Sequence, residues 1–172
     1  IGGDPFKQGV LIAARSALLF TTGRYIPQML IDLTPNNPPI QIPARGGTFS
    51  FTIALANQDT IPYNTDVWCN ITQPNGTIIG PVLGPVNLNL NPNINITRIR
   101  NQTIAGTSPP GNYFYNGFTG DYPSVIWSND SFLFLKLTTG SGPLVNSWAN
   151  WGEPFPGEAP AAAETPLPQQ YC

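Results

Sequence analysis

Apolar and polar residues alternate along most of this chain, and the period is two. Residues 47 to 57 read GTFSFTIALAN, with Phe49, Phe51, Ile53 and Leu55 on one face and Thr48, Ser50 and Thr52 on the other, the pattern of a half-buried strand. DVWCNIT (66 to 72) and TIIGPVL (77 to 83) flank Pro74-Asn75-Gly76; an Asn-Gly pair supplies the positive φ angles of a tight hairpin turn, so these two strands are antiparallel neighbours. VNLNLNPNINIT (86 to 97) alternates Val86, Leu88 and Leu90 with asparagines, and GNYFYNGF (111 to 118) and SFLFLKL (131 to 137) follow. Turn signals at residues 35 to 39, 45 to 47 and 108 to 111 separate the runs. The pattern predicts an all-β fold, an immunoglobulin-like antiparallel β-sandwich of about seven strands between residues 29 and 138.

Two segments stand apart from that body. GVLIAARSALLFTTG (9 to 23) is the most apolar stretch of the chain. It reads as a strand with Val10, Ile12, Ala14, Leu18 and Phe20 on one face, or as a short helical stripe; its length, its flanking glycines and its all-β company favour the strand. After Gly140 the chain changes character: Trp148, Trp151 and Phe155 precede PGEAPAAAETPLPQQYC, which holds repeated prolines and predicts an extended, polyproline-like course. The expected organisation is therefore an N-terminal arm with an extra apolar strand (1–26), a sandwich domain (27–139) and a Pro- and Trp-rich extended tail (140–172).

Composition narrows the chemistry. The 172 residues carry 7 Lys and Arg against 9 Asp and Glu, a net charge of −2, which excludes the basic face that nucleic-acid binding needs. Only 9% of residues are charged and there is no histidine. That removes the commonest general base, the commonest metal ligand and the Ser-His and Cys-His nucleophile pairs. Asp32, Asp59, Asp66, Asp121 and Asp130 are scattered singly near turns, without the paired placement a glycosidase requires. No enzymatic activity, cofactor or metal is expected. No apolar run is long enough to insert in a membrane. The chain begins at Ile1 without a basic leader, so a processed N-terminus and an extracellular location are expected.

Five Asn-X-Ser/Thr sequons, at Asn70, Asn75, Asn95, Asn101 and Asn129, are candidate sugar-attachment sites. Chance supplies some of them, and outward-facing asparagines on strands explain the same residues. A glycan coat would keep a chain with so little charge in solution. Cys69 and Cys172 are the only cysteines. A disulfide between them, a bridge to another chain and free thiols all remain open; Cys69, between Val67 and Ile71, also fits an inert buried thiol. Trp68, Trp127, Trp148 and Trp151 with Tyr113, Tyr115 and Tyr122 could stack sugars or pack the core. Tyr113, two residues after Gly111, matches a corner tyrosine whose hydroxyl bonds local backbone.

The stretches 33–57, 67–90, 109–120 and 127–137 together resemble a β-sandwich domain of secreted, surface-located bacterial proteins, often those exported with a C-terminal sorting domain. The resemblance implies a non-catalytic module. It also implies O-glycosylation at Asp-Ser/Thr followed by an apolar residue, which Asp59-Thr60-Ile61 and Asp130-Ser131-Phe132 match at Thr60 and Ser131. The arrangement of an apolar leading segment before a sandwich is similar to protomers of extracellular glycosylated fibrils and strand-donating pili. An apolar strand in surplus must be buried, against its own domain or in the next copy. Pairing in trans would be head to tail and would generate an open filament of copies of this chain. The competing expectation is an adhesive or carbohydrate-recognising module of a larger secreted protein.

Overall fold

A computed structural model describes residues 25–158. The apolar segment 9–21, including Val10, Ile12, Ala14, Leu18 and Phe20, and the second cysteine, Cys172, lie outside the described residues. Nine strands follow one another without an intervening helix: β1 Met29–Pro35, β2 Gln41–Ile42, β3 Gly46–Asn57, β4 Tyr63–Thr72, β5 Ile78–Leu90, β6 Asn95–Ala105, β7 Gly111–Asp121, β8 Val125–Lys136 and β9 Ala149–Gly152. They form two sheets, one in the order β1-β3-β6-β9 and one in the order β2-β8-β7-β4-β5. All pairings are antiparallel except the short β2–β8 pair.

The predicted all-β, two-sheet sandwich is therefore present, and its topology is immunoglobulin-like. In that fold one sheet runs A-B-E-D and the other G-F-C. Here β1, β3 and β6 take the A, B and E places and β8, β7 and β4 the G, F and C places. The D place beside β6 is filled by β9, which comes from the far end of the chain. The strand count differs from the expected seven: eight strands lie between residues 29 and 136, and the ninth falls in the segment read as a tail. Trp148 packs against the core and Phe155 is 2% exposed. The prolines around β9 do not prevent this, because an edge strand of four residues asks little of the backbone on its free side.

Alternation does what the sequence pattern required. Along β3, Phe49, Phe51, Ile53 and Leu55 point into the sandwich, each fully buried apolar side chain contributing about 1.5–3 kcal/mol. Phe49 and Phe51 meet Tyr115, Phe132 and Phe134 of the facing sheet; Tyr115 stacks on Phe132 with centroids 5.3 Å apart, Phe51 lies 4.7 Å from Tyr115, and Tyr113 stacks on Phe134. The Asn75-Gly76 hairpin is formed as expected, with Gly76 at φ 85° and its N–H donated to the Gln73 carbonyl. Tyr113 is a corner tyrosine: its hydroxyl donates to the carbonyl of Pro109. Lys136 is buried, donates to the carbonyls of Ala44 and Gly106 at 2.8 and 3.3 Å, and has its pKa lowered by desolvation.

Candidate functional site

The sandwich closes its two flanks differently. On one flank β1 is an outer strand, but its edge is not free. Ile31 N–H donates to Ser128 Oγ at 3.3 Å and Leu33 N–H to Asp130 Oδ2 at 2.7 Å, so side chains of β8 occupy the donors that a further strand would need. On the other flank β5 is the outer strand. Pro81 and Pro85 interrupt its first half, each preceded by a positive-φ glycine and each beside a shift in the β4–β5 register. Its second half, Val86–Leu90, has no proline and among the described residues pairs only with β4, with Gly157 and Glu158 across a small hollow from Val86 and Asn87. Asn87 and Asn89 there bond to Asp66 and Asn64 on the neighbouring strand.

The seam between β5 and β6 is held shut by the segment after β9, through a buried polar cluster. Arg100 on β6 is 3% exposed. Its Nε and one Nη bond Asn150 Oδ1 at 3.0 and 2.7 Å, the other Nη bonds the Glu153 carbonyl at 3.0 Å, and the two Nη atoms take the Glu158 carboxylate at 3.0 and 2.9 Å. All five guanidinium donors are thus used, which a buried cation needs. Asn150 also donates to Gln102 Oε1 and to the Tyr115 hydroxyl, each at 3.1 Å. Gln102 donates in turn to the carbonyls of Thr103 and Ala149. No buried side-chain polar atom lacks a partner among the described residues.

A third place stands out on the outer face of the β1-β3-β6-β9 sheet. β1 pairs with β3 only as far as Pro35 opposite Phe51; the chain then crosses to the other sheet as β2. The edge of β3 before Phe51 is left beside a groove of about 580 Å3, lined by Asn37, Gln41, Thr48, Ser50 and Asn101 over a floor that includes Phe49. Ser50 is opposite Asn101 and Asn101 is opposite Trp151. This row crosses three strands and ends at a tryptophan ring that is 49% exposed.

The predicted site residues disperse. Asn75 sits at the β4–β5 turn, Asn95 begins β6 and Asn129 lies on β8; all three are exposed. Asn70 is half-buried and its Oδ1 accepts from Asn116 at 2.9 Å. Asn101 is half-buried in the groove. Thr60 and Ser131 are exposed, although Asp130 of the second Asp-Ser pattern is engaged in capping β1. Cys69 is a free, fully buried thiol whose pKa burial pushes up to about 12. The aromatic residues do not make one platform. Trp68 stacks on Phe118 at 5.4 Å on the outer face of the second sheet, and Trp127 meets Tyr63, which stacks on Tyr25 at 6.1 Å. The Tyr25 hydroxyl donates to Asp59, which lowers the Asp59 pKa and raises that of Tyr25 to about 12. Sequence reasoning missed Asn37, Gln41 and Ser50, and also Arg100 with its partners. The one available signal was a run of polar residues, Arg98, Arg100 and Gln102, on the inward parity of β6.

No protein-family description matches the chain, and no curated protein sequence matches it. Similar solved structures include a Bacteroides uniformis β-glucuronidase, 10% identical over 63% of this chain and 14% of that one, with a TM-score of 0.48. The CARDB domain of a Pyrococcus furiosus protein, solved in complex with di-metal ions, is 15% identical over 67% of this chain and 97% of that one, with a TM-score of 0.47. A PapD-like domain of human CEP192 is 9% identical over 71% and 93%, with a TM-score of 0.33. This chain spans 14% of the length of the β-glucuronidase it is similar to. These three are likenesses of overall shape, and no residue role passes from them to this chain.

Proposed function

We propose that this chain is a non-catalytic structural module of an extracellular bacterial assembly, in which the apolar segment 9–21 of one copy adds as a strand to the next copy. The observation that carries the reading is the unequal treatment of the sheet edges. Side chains seal β1, prolines interrupt the first half of β5, and Val86–Leu90 is a proline-free outer run whose far side pairs with no strand among the described residues. Five residues of strand span roughly 16 Å, and main-chain hydrogen bonds along that length supply affinity as in other strand-addition contacts. Residues 25–158 already enclose a core, so an added strand would join the outside of a finished body. A donor at one end and an acceptor at a flank make a heterologous contact, which propagates as an open filament.

Such a fibre would carry its glycans on Asn75, Asn95, Asn129, Thr60 and Ser131, all of them exposed. Deleting residues 1–22 tests the assembly by negative-stain microscopy: loss of fibres is expected, and intact fibres without the segment overturn strand addition. An intact mass well above 18.6 kDa in native material is the expected sign of glycosylation.

A second reading, an adhesive module that recognises glycans, is favoured by the half-exposed Trp151 at the end of an uncharged row of side chains. Retention on a glycan array that is lost in Trp151→Ala is its expected signature.

A further inference from the structure

We propose that the groove between the 37–42 connection and β3 is a binding site for an uncharged oligosaccharide, with Trp151 as its stacking wall. The inference rests on the second reading above and assigns it a place and a ligand class. It is independent of strand addition at β5, which lies on the other sheet.

The groove exists because of a topological step. The ladder between β1 and β3 ends with the Asn36 N–H on the Ser50 carbonyl at 3.1 Å, and the edge of β3 before Ser50 has no neighbouring strand among the described residues. The space left is about 580 Å3, within the range of small-ligand clefts. Its lining sets the amides and hydroxyls beside Pro39, Ile40, Ile42 and Phe49, and it is uncharged: no Lys, Arg, Asp or Glu lines it among the described residues. An ionic ligand would be desolvated there with no counter-charge, whereas a neutral polyol would not.

The amides of Asn37, Gln41 and Asn101 bond to no described residue, while the groove hydroxyls are already placed by their neighbours: Ser50 Oγ accepts from Asn36 Nδ2 at 2.7 Å, and Thr48 Oγ1 lies 3.0 Å from Thr103 Oγ1. A carboxamide offers two donors and an acceptor, which matches sugar hydroxyls that both donate and accept. Trp151 lies directly across the strand pair from Asn101. From Ser50 to Trp151 the row covers roughly 10 Å at ordinary strand spacing, so a saccharide held by the amides can lay an apolar ring face on the indole. A glycan attached to Asn101 would fill the same space, so occupancy of the groove and modification of Asn101 exclude one another.

The experiment is a glycan array on the full chain, followed by titration of the retained saccharide against Gln41→Ala, Asn101→Ala and Trp151→Ala. Neutral saccharides are expected to be retained, and each substitution is expected to weaken binding about tenfold, the equivalent of one neutral contact, with little change in thermal unfolding. Retention of anionic glycans alone overturns the assignment, as does an intact mass placing sugar on Asn101. Binding lost in Trp151→Ala but untouched in Gln41→Ala and Asn101→Ala overturns the groove and leaves the adhesive reading standing. No retention at millimolar ligand overturns both. If Trp151→Ala fails to fold, the side-chain amide resonances of Gln41 and Asn101 in the unsubstituted protein decide: shifts on ligand addition support the site, and unmoved resonances overturn it.

Discussion

Single side chains carry an unusual share of this fold because charge is so scarce. Arg100 and Glu158 face each other with side chains only 4% and 19% exposed. Removing one member of a buried pair strands the other, so Glu158→Ala is expected to cost about 3–5 kcal/mol, read as a lower urea midpoint with the slope unchanged. The Tyr25–Asp59 contact makes a pH prediction. Asp59 is held below its ordinary value of 3.8 by the Tyr25 hydroxyl, so its contribution is present above that pH and is lost as pH falls through the lower folded value. Tyr25→Phe is expected to bring that acid loss to higher pH, measured by fluorescence-monitored acid unfolding. At the alkaline end Tyr25, raised to about 12, contributes below pH 10 and loses its grip as pH rises through the folded value. Cys69 has a thiol pushed to about 12 and no solvent exposure; alkylation at pH 8 is expected to leave it unmodified until the chain is unfolded, as mass spectrometry of the digested protein will report.

At the scale of elements, two of the three glycines of the β4–β5 hairpin separate conformational from steric demands. Gly76 has φ 85° with nothing within 4 Å of a built Cβ, whereas a Cβ on Gly84, at φ 71°, would stand 2.3 Å from the Val67 carbonyl oxygen. Gly76→Ala is expected to cost about 1 kcal/mol and Gly84→Ala clearly more, up to about 3 kcal/mol; similar losses in both by thermal denaturation would contradict this. The same hairpin shows what was readable in advance. Alternation in residues 47–57 and the Pro-Asn-Gly turn specified β3, β4 and the start of β5, because burying one face and turning the chain are local matters. β9 was hidden, since four residues among prolines carry no period, and their pairing with β6 depends on Arg100 some fifty residues earlier. The groove was hidden for another reason: Asn37, Gln41, Ser50 and Asn101 converge only because β1 changes sheets, and nothing in the spacing of polar residues announces that step. The capping of β1 by Ser128 and Asp130 is of the same non-local kind.

For the whole molecule, the described residues between Thr139 and Glu158 belong to the body of the sandwich. A chain ending at residue 139 would lose β9 and the burial of Phe155, worth about 1.5–3 kcal/mol for the phenyl side chain alone. It would also leave the Arg100 guanidinium without its partners, at about 3–5 kcal/mol. Together these approach the usual stability of a domain, so that truncation is expected to abolish the cooperative transition of a thermal melt. β9 supplies the place that the immunoglobulin plan gives to a strand from mid-chain. A ribosome releases the N-terminal end first, so β6 waits with an open flank and an unquenched guanidinium until the closing stretch has emerged. Assembly of the sandwich can finish only after its last strand has been made, which keeps the nascent chain pliable until then.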